Sequence, residues 1–393
     1  MRKFLSFYYL FIFCLILSFS SYAQQVVRID NEEGLLNGII NTFEKDSLGY
    51  FWIGSDKGLN RYSDLEIKNY DLENIISVQG TSIIEILNFD GVLYMISPNG
   101  YLIKYDYEYE HFDKILQEEG KRFLSIARLD NERLIIGLDY GFLIYNIKTK
   151  KTSKLLQPET FINREVLVFK NKIFVASGKG CYIYSFDKDL DALSLQEILL
   201  EQKDVISIAI DSKERLWIGT ETEGLFIKNG PELKPIYIEE LQQKTYAIRK
   251  IEFDKQNNAL VAVDRLGLLV IDEYLKINQI FSHDLDEINT ISQNSIYEIY
   301  VDNYNTYWLG LREGGINIIY EKDNVFKQLS HVLNDPNSIN DNTIRAIFED
   351  ENGDLWFGTE NGLSKFSDQK FTNYNKKLFL TIIYGFPLVM TGH

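Results

Sequence analysis

Cysteine is almost missing from this chain. Cys14 lies in an apolar N-terminal run, and Cys181 is the one thiol after it. A lone thiol closes no internal disulfide, so stability must come from packing. Proline is scarce, with 6 among 393 residues, so few positions are barred from strand pairing. The four histidines, His111, His283, His331 and His393, show no metal-ligand spacing, and neither a metal nor a cofactor is expected. His283 and His331 fall in homologous loops, so repeat equivalence explains that pair better than catalysis. A Gly-x-Ser-x-Gly elbow and a P-loop are both missing. No stretch keeps a helical spacing of apolar residues. Positive charge is in deficit, with 41 Lys and Arg against 57 Asp and Glu and a formal net charge of -16. That balance argues against nucleic acid and polyanions as partners.

What the chain does have is hydrophobic and aromatic bulk, 45% and 14% of residues, which supports a large core. Its abundance of Tyr, Phe and Ile favours strands. The N-terminus reads as a secretory signal over 1–23. Arg2 and Lys3 precede the apolar run Phe4 to Phe19, and Ser21-Tyr22-Ala23 forms a small-residue cleavage site before Gln24. An uncleaved anchor is the alternative, because Phe4 to Tyr22 is nearly long enough to span a bilayer.

A phrase recurs along the rest of the sequence. It reads Phe51-Trp52-Ile53-Gly54 with Gly58-Leu59, Leu216-Trp217-Ile218-Gly219 with Gly224-Leu225, Tyr307-Trp308-Leu309-Gly310 with Gly315-Ile316, and Leu355-Trp356-Phe357-Gly358 with Gly362-Leu363. Weaker copies carry Gly100, Gly141, Gly180 and Gly267, giving eight repeats 39 to 48 residues apart. Each repeat reads as four strands. An inner strand such as Val205–Ile210 leads through an Asp/Asn/Gly turn to the Trp strand, then a polar hairpin, then two outer strands. Four antiparallel strands in roughly 40–45 residues make one β-propeller blade. The Trp positions hold Tyr94, Ile135, Phe174 and Leu260 in the other repeats, so Trp52, Trp217, Trp308 and Trp356 are packing residues. Gly58, Gly224, Gly315 and Gly362 serve backbone geometry.

The fold class is therefore all-β. Val26–Ile29 looks like a fourth strand without its first three, and is expected to complete the seventh blade. A seven-bladed propeller over 24–325 follows, with 326–377 as the first blade of an incomplete second propeller beginning at Phe326–Leu329. A single eight-bladed ring is the alternative. After Asn375 the pattern stops. Residues 378–393, an apolar run broken by Gly385 and Pro387, are expected to be an aberrant tail from a truncated reading frame, or else a strand patching the incomplete ring.

The series Asp46-x-x-Gly49-x-x-Trp52-Ile53-Gly54-x-x-x-Gly58-Leu59-Asn60-Arg61-Tyr62 resembles the two-component regulator propeller repeat. So do Asp350-x-x-Gly353-x-x-Trp356-Phe357-Gly358-Thr359 and the linker Asp335 to Ile344. The resemblance implies the periplasmic sensor of a hybrid histidine kinase receptor of Gram-negative bacteria. Such receptors place two seven-bladed propellers before an immunoglobulin-like module, a membrane helix and kinase domains, and many sense glycan fragments. This chain ends after eight repeats and shows no kinase motif, so no kinase activity is expected of it. The parent receptor would be membrane-anchored and homodimeric, and this fragment soluble.

With catalytic residues expected to be none, binding remains. Propellers bind ligands where loops meet the central channel. The hairpins before the marker glycines are the candidates: Asp56, Lys57, Asp139, Tyr140, Glu221, Glu223, Arg312 and Glu313. Their carboxylates, amides and aromatics suit an oligosaccharide, neutral or cationic rather than sulfated. Asp46, Asp211, Asp302 and Asp350 each lie six residues before a Trp. They resemble sialidase Asp-box turns, but turn formation accounts for them. A glycan hydrolase or lyase would need a converging acid/base pair at the channel mouth, and a protein-interaction scaffold is the third class.

Overall fold

The computed structural model describes residues 26–375 apart from 64–65, 79, 81, 156–160, 189–191, 239–245, 285–289, 321–328, 330, 332–334 and 368–369. The signal segment 1–23, the tail 378–393 and most of Phe326–Leu329 thus lie outside the described residues. No helix among the described residues is long and apolar enough to cross a membrane.

Eight four-stranded antiparallel sheets make up the described chain. Their inner strands are Ile40–Lys45, Glu85–Phe89, Phe123–Arg128, Asn163–Phe169, Val205–Ile210, Ile248–Phe253, Ile296–Val301 and Ile344–Glu349. One short helix, Leu72–Ile76, is capped by Asp71, whose carboxylate accepts from the Asn74 amide at 3.3 Å. Alternation of apolar residues gave no hint of this single turn, which is too short to show a helical period and rests on its cap and on the buried Leu72.

The chain forms two compact units, Met1–Glu321 and Lys322–His393. In the first unit each inner strand packs against the next, and Ile296–Val301 packs against Ile40–Lys45. The succession of seven inner strands thereby returns on itself. The seventh sheet is made from both ends of the unit: Val26–Ile29 pairs antiparallel with Ile316–Ile319, Val27 opposite Ile318 and Ile29 opposite Ile316. This removes an open edge that would otherwise template further pairing. Apolar clusters fill every interface between neighbouring sheets of the ring. Trp52, Leu59 and Tyr70 of the first sheet meet Ile86, Leu93 and Ile103 of the second, and Ile53 meets Ile316 and Ile318 where the ring closes.

The repeated phrase explains how these sheets come so close. All eight marker glycines have positive φ, from +76° at Gly315 to +134° at Gly362, which other residues adopt only under strain. The glycine after the Trp serves packing instead. A Cβ on Gly310 would lie 2.8 Å from the Ile40 Cγ2 of the adjoining sheet. Each Trp indole donates Nε1–H to the aspartate six residues earlier: 2.7 Å to Asp46, 3.0 Å to Asp211, 3.4 Å to Asp302 and 2.8 Å to Asp350. The other oxygen of Asp46 accepts the Leu48 and Tyr50 amides, each at 2.9 Å. The aspartate therefore builds the turn and also satisfies the buried indole, a second role that turn chemistry alone does not reveal.

The second unit holds the eighth sheet, with Ile339, Phe357 and Phe371 as its small core. Every residue of its inner strand Ile344–Glu349 is exposed.

Candidate functional site

The inner strands share a local irregularity that decides what lines the channel. In six of the seven inner strands of the ring, and in that of the eighth sheet, the register skips a residue near the start: Thr42 pairs with Gly54 although Ile40 pairs with Ser55, and Lys250 pairs with Ala262 although Ile248 pairs with Val263. The same β-bulge recurs in the third, fourth, fifth and seventh sheets. A bulge leaves one residue unpaired and re-aims its side chain. Here the bulged residues include Arg164, Arg249 and Tyr297, and all three line a cavity of about 300 Å³. All seven sheets of the ring contribute to its wall, so this cavity is the channel mouth.

The residue after the bulge position forms a ring of its own: Thr42, Glu85, Ser125, Glu165, Ser207, Lys250 and Glu298. Five of these tie one inner strand to the next. Thr42 Oγ1 accepts from the Ile86 amide at 3.3 Å, Glu85 Oε2 from Ile126 at 2.7 Å and Ser125 Oγ from Val166 at 3.0 Å. Glu165 Oε2 accepts from the Ile208 amide at 2.8 Å, and Ser207 Oγ donates to the Ile248 carbonyl at 2.9 Å. Lys250 Nζ stands 3.3 Å from both Glu165 and Glu298. One ammonium thus bridges the fourth, sixth and seventh sheets.

Carboxylates outnumber the lysine in this ring, and burial penalises their charge. Burial pushes Glu85 and Glu298 up to about 7 despite the pull of Lys250. Glu44, deeper along the first inner strand, is pushed up to about 7 by burial as well, and Glu252 is raised by the same cause. For Lys250, burial works downward, but Glu298, Glu165, Glu85 and Glu252 outweigh it and hold the ammonium well above the usual lysine value.

The hairpins expected to bind lie on the face where each inner strand begins. Asp56 donates its amide to the Ile39 carbonyl at 3.4 Å, Glu221 to Asp204 at 2.9 Å and Arg312 to Ser295 at 3.0 Å. They are dispersed around that face rather than convergent. Asp56 accepts from Asn41 at 2.9 Å, and Lys57 is exposed beside it. Asp139 pairs loosely with Arg122 at 3.7 Å, and Tyr140 is exposed. Glu223 pairs with Lys203 at 2.9 Å, and Glu313 donates its amide to Gln293 at 3.1 Å. Among the eight, Glu221 alone is seen to hold a channel-lining side chain: its carboxylate and that of Asp264 grip Arg249 at 3.2 and 3.1 Å. Arg164 is gripped likewise by Asp204, at 2.9 and 2.8 Å.

The channel-lining residues themselves, Glu85, Arg164, Glu165, Arg249, Lys250, Tyr297 and Glu298, are not hairpin residues and were not among those expected. Their signal was present in Asn163-Arg164-Glu165-Val166, Ile248-Arg249-Lys250-Ile251 and Ile296-Tyr297-Glu298-Ile299. A polar pair between two buried anchors breaks the period of two and marks a bulge. Two histidines have structural work. His283 Nδ1 lies 2.9 Å from the Ile291 carbonyl, and His331 Nδ1 lies 2.7 Å from the Ile339 carbonyl. No group of three or more potential metal ligands occurs among the described residues.

A closed ring of four-stranded blades with a charged mouth is a β-propeller. Residues 338–361 match the family model described as two component regulator propeller. Among solved structures, it is similar to the extracellular domain of a hybrid two component system from B. thetaiotaomicron. The TM-score is 0.65 at 20% identity, over 90% of this chain and 49% of that one. A second such domain from B. thetaiotaomicron matches with a TM-score of 0.61 at 20% identity, over 89% and 54%. The chain thus spans about half the length of these domains. Virginiamycin B lyase from Staphylococcus aureus shares the fold with a TM-score of 0.61 at 10% identity, over 76% of this chain and 99% of that one. No curated protein matches the chain.

Proposed function

We propose that this chain is the extracytoplasmic ligand-sensing propeller of a hybrid two component receptor, and that it binds a glycan fragment at the channel mouth. The observation that carries this reading is the cavity of about 300 Å³ walled by all seven blades of the ring, in which Arg164, Lys250, Glu165, Glu298 and Tyr297 offer donors, acceptors and one aromatic ring. Sugar hydroxyls both donate and accept, so a wall of both signs suits them. The surplus of carboxylates disfavours sulfated or uronic ligands, which would add like charge. The similarity to extracellular domains of two component systems supports the setting. In this reading residues 1–23 direct export to the periplasm. The eighth sheet begins a second ring, and the parent receptor is anchored in the inner membrane as a homodimer. Signalling belongs to kinase domains beyond the propeller.

Calorimetric titration of the purified chain with neutral, amino-sugar and sulfated oligosaccharides tests this. Saturable binding of a neutral or amino-bearing glycan, lost in Lys250→Met and unaccompanied by products, is the expected outcome. Preference for the sulfated glycan defeats the ligand assignment. One observation favours a second reading, a glycan hydrolase or lyase: Glu85 and Glu298 titrate near neutrality, where a general acid operates. Product formation in the same titration decides for it.

A further inference from the structure

The sixth repeat departs from the rule that pairs each turn aspartate with an indole. It keeps the aspartate, Asp254, but has Leu260 where the first, fifth, seventh and eighth repeats have Trp. The registers coincide, since Leu260 faces Val270 as Trp52 faces Arg61. The Asp254 carboxylate is met instead by Asn258 Nδ2 at 2.7 Å and by the Tyr307 hydroxyl of the neighbouring blade at 3.1 Å. Between the first and second blades the corresponding space is full. The Trp52 indole lies 4.7 Å from the Tyr105 ring and 5.7 Å from the Arg61 guanidinium. Between the sixth and seventh blades the residues at those three positions are Leu260, Ile319 and Val270, all shorter. A cavity of about 220 Å³ remains there, with Val270 and Ile319 as its floor. Its polar wall is Asp254, Gln256, Asn258, Asn278, Gln279 and Tyr307. Asp254 belongs to the turn after the inner strand, so this notch lies toward the opposite end of the blades from the hairpins at the channel mouth.

We propose that the notch is a second ligand site, taking one neutral, hydroxyl-rich ring such as a hexose unit. This inference does not rest on the channel-mouth reading. Four carboxamides, a phenol and a carboxylate present donors and acceptors together, which matches hydroxyls that need both. Val270 and Ile319 offer an apolar floor for the C–H face of a pyranose. Among the described residues no cation lines the notch, so an anionic ligand would meet Asp254 without compensation. The volume falls below the roughly 300 Å³ of pockets that hold drug-sized molecules, which limits the occupant to a single ring.

The test uses the full chain and the methyl glycosides of glucose, galactose, mannose and xylose, observed by saturation-transfer NMR. Two variants locate the binding. Asn278→Ala/Gln279→Ala trims exposed side chains from the rim of an outer strand, and Leu260→Trp returns an indole to the notch. At least one glycoside is expected to bind. The double alanine variant should weaken it about tenfold, one ordinary hydrogen bond from each amide, and Leu260→Trp should abolish it. If no glycoside binds, or if binding is unchanged in the double alanine variant, the notch is not a sugar site. That outcome is decided by the notch alone, whatever Lys250→Met does at the channel mouth.

Discussion

Replacing Lys250 by methionine should destabilise the ring far more at pH 8 than at pH 5. Met keeps most of the side chain's apolar stem, one atom short, and removes the one ammonium among Glu85, Glu165, Glu252 and Glu298. Its two closest partners lie 3.3 Å away, and all three side chains are roughly a fifth exposed or less, 22% for Lys250, 21% for Glu165 and 15% for Glu298. Removing one member of such a buried pair costs about 3–5 kcal/mol when the survivors remain charged. Partial solvent access places the expected loss near the lower end, about 3 kcal/mol at pH 8. At pH 5 the survivors need less compensation, because Glu85 and Glu298 titrate at about 7 in the fold and are protonated. The loss should fall to about 1 kcal/mol, an ordinary hydrogen-bond value. The wild type carries the same linkage. Glu44, Glu85 and Glu298 are raised from 4.5 to about 7, so the fold retains protons that the unfolded chain has shed in that window. Their contribution is fully present below about 4.5 and is lost as pH rises through about 7. Lys250 is raised above 10.5, so its own titration lies outside the range compared. Urea unfolding followed by tryptophan fluorescence at the two pH values measures the difference. Equal losses at pH 5 and pH 8 would refute the account of the channel as an under-compensated carboxylate cluster.

Four further outcomes are expected. Trp52→Phe strips the 2.7 Å bond to Asp46 from a fully buried site and should cost about 2–3 kcal/mol. Trp308→Phe, with a 3.4 Å contact and a half-buried ring, should cost about 1 kcal/mol or less; equal midpoint shifts in urea would contradict the indole–aspartate argument. Gly267→Ala combines φ +112° with a collision against the Phe281 carbonyl, and should lower the melting temperature well beyond Gly120→Ala, which has φ +68° and open space around it. Deleting residues through Ile29 uncovers the edge of Ile316–Ile319 and should lower the melting temperature and promote self-association, visible by light scattering. Cys181 is buried and its thiol is pushed up to about 12 by that burial, so peptide mapping should find it alkylated by maleimide only after unfolding.

The fold was legible in the sequence because its determinants repeat. The turn aspartate recurs six residues before each Trp and the marker glycine six or seven after it, and each copy vouches for the others. The pairing of Val26–Ile29 with Ile316–Ile319 was legible for the same reason, since a lone fourth strand leaves three unmatched partners elsewhere. The site was hidden because it consists of departures from the repeat. Arg164, Arg249 and Tyr297 stand where other repeats put Leu124 or Ile206, and at the notch Leu260, Ile319 and Val270 stand where the first two blades have Trp52, Tyr105 and Arg61. A pattern reports what is shared among blades, whereas a ligand contacts what is not. The hairpin acids belong between these extremes. Glu221 stands near the mouth, but its contact is with Arg249, which it holds in place, rather than with the channel itself.

The bulge is what allows one repeat to serve both purposes. A regular inner strand would alternate its side chains between two blade interfaces, and any charge placed there would be buried against a neighbouring sheet. The extra residue separates the anchors Ile248 and Ile251, both buried, by two positions that escape this constraint. The first turns into the mouth, and the second reaches the next inner strand. Recognition can therefore vary at the first position of each blade without disturbing the packing that closes the ring, while the second position carries the ties between inner strands. The lining at the first position is mixed: Ile84 and Leu124 stand on the neighbouring second and third blades, Ile206 of the fifth stands between Arg164 of the fourth and Arg249 of the sixth, and Tyr297 follows on the seventh. A ligand at this mouth would meet apolar and hydrogen-bonding side chains side by side, as the C–H and hydroxyl groups of a pyranose can use together. A uniformly charged ligand would leave Ile84, Leu124 and Ile206 unused and would face the carboxylates of the cluster around Lys250.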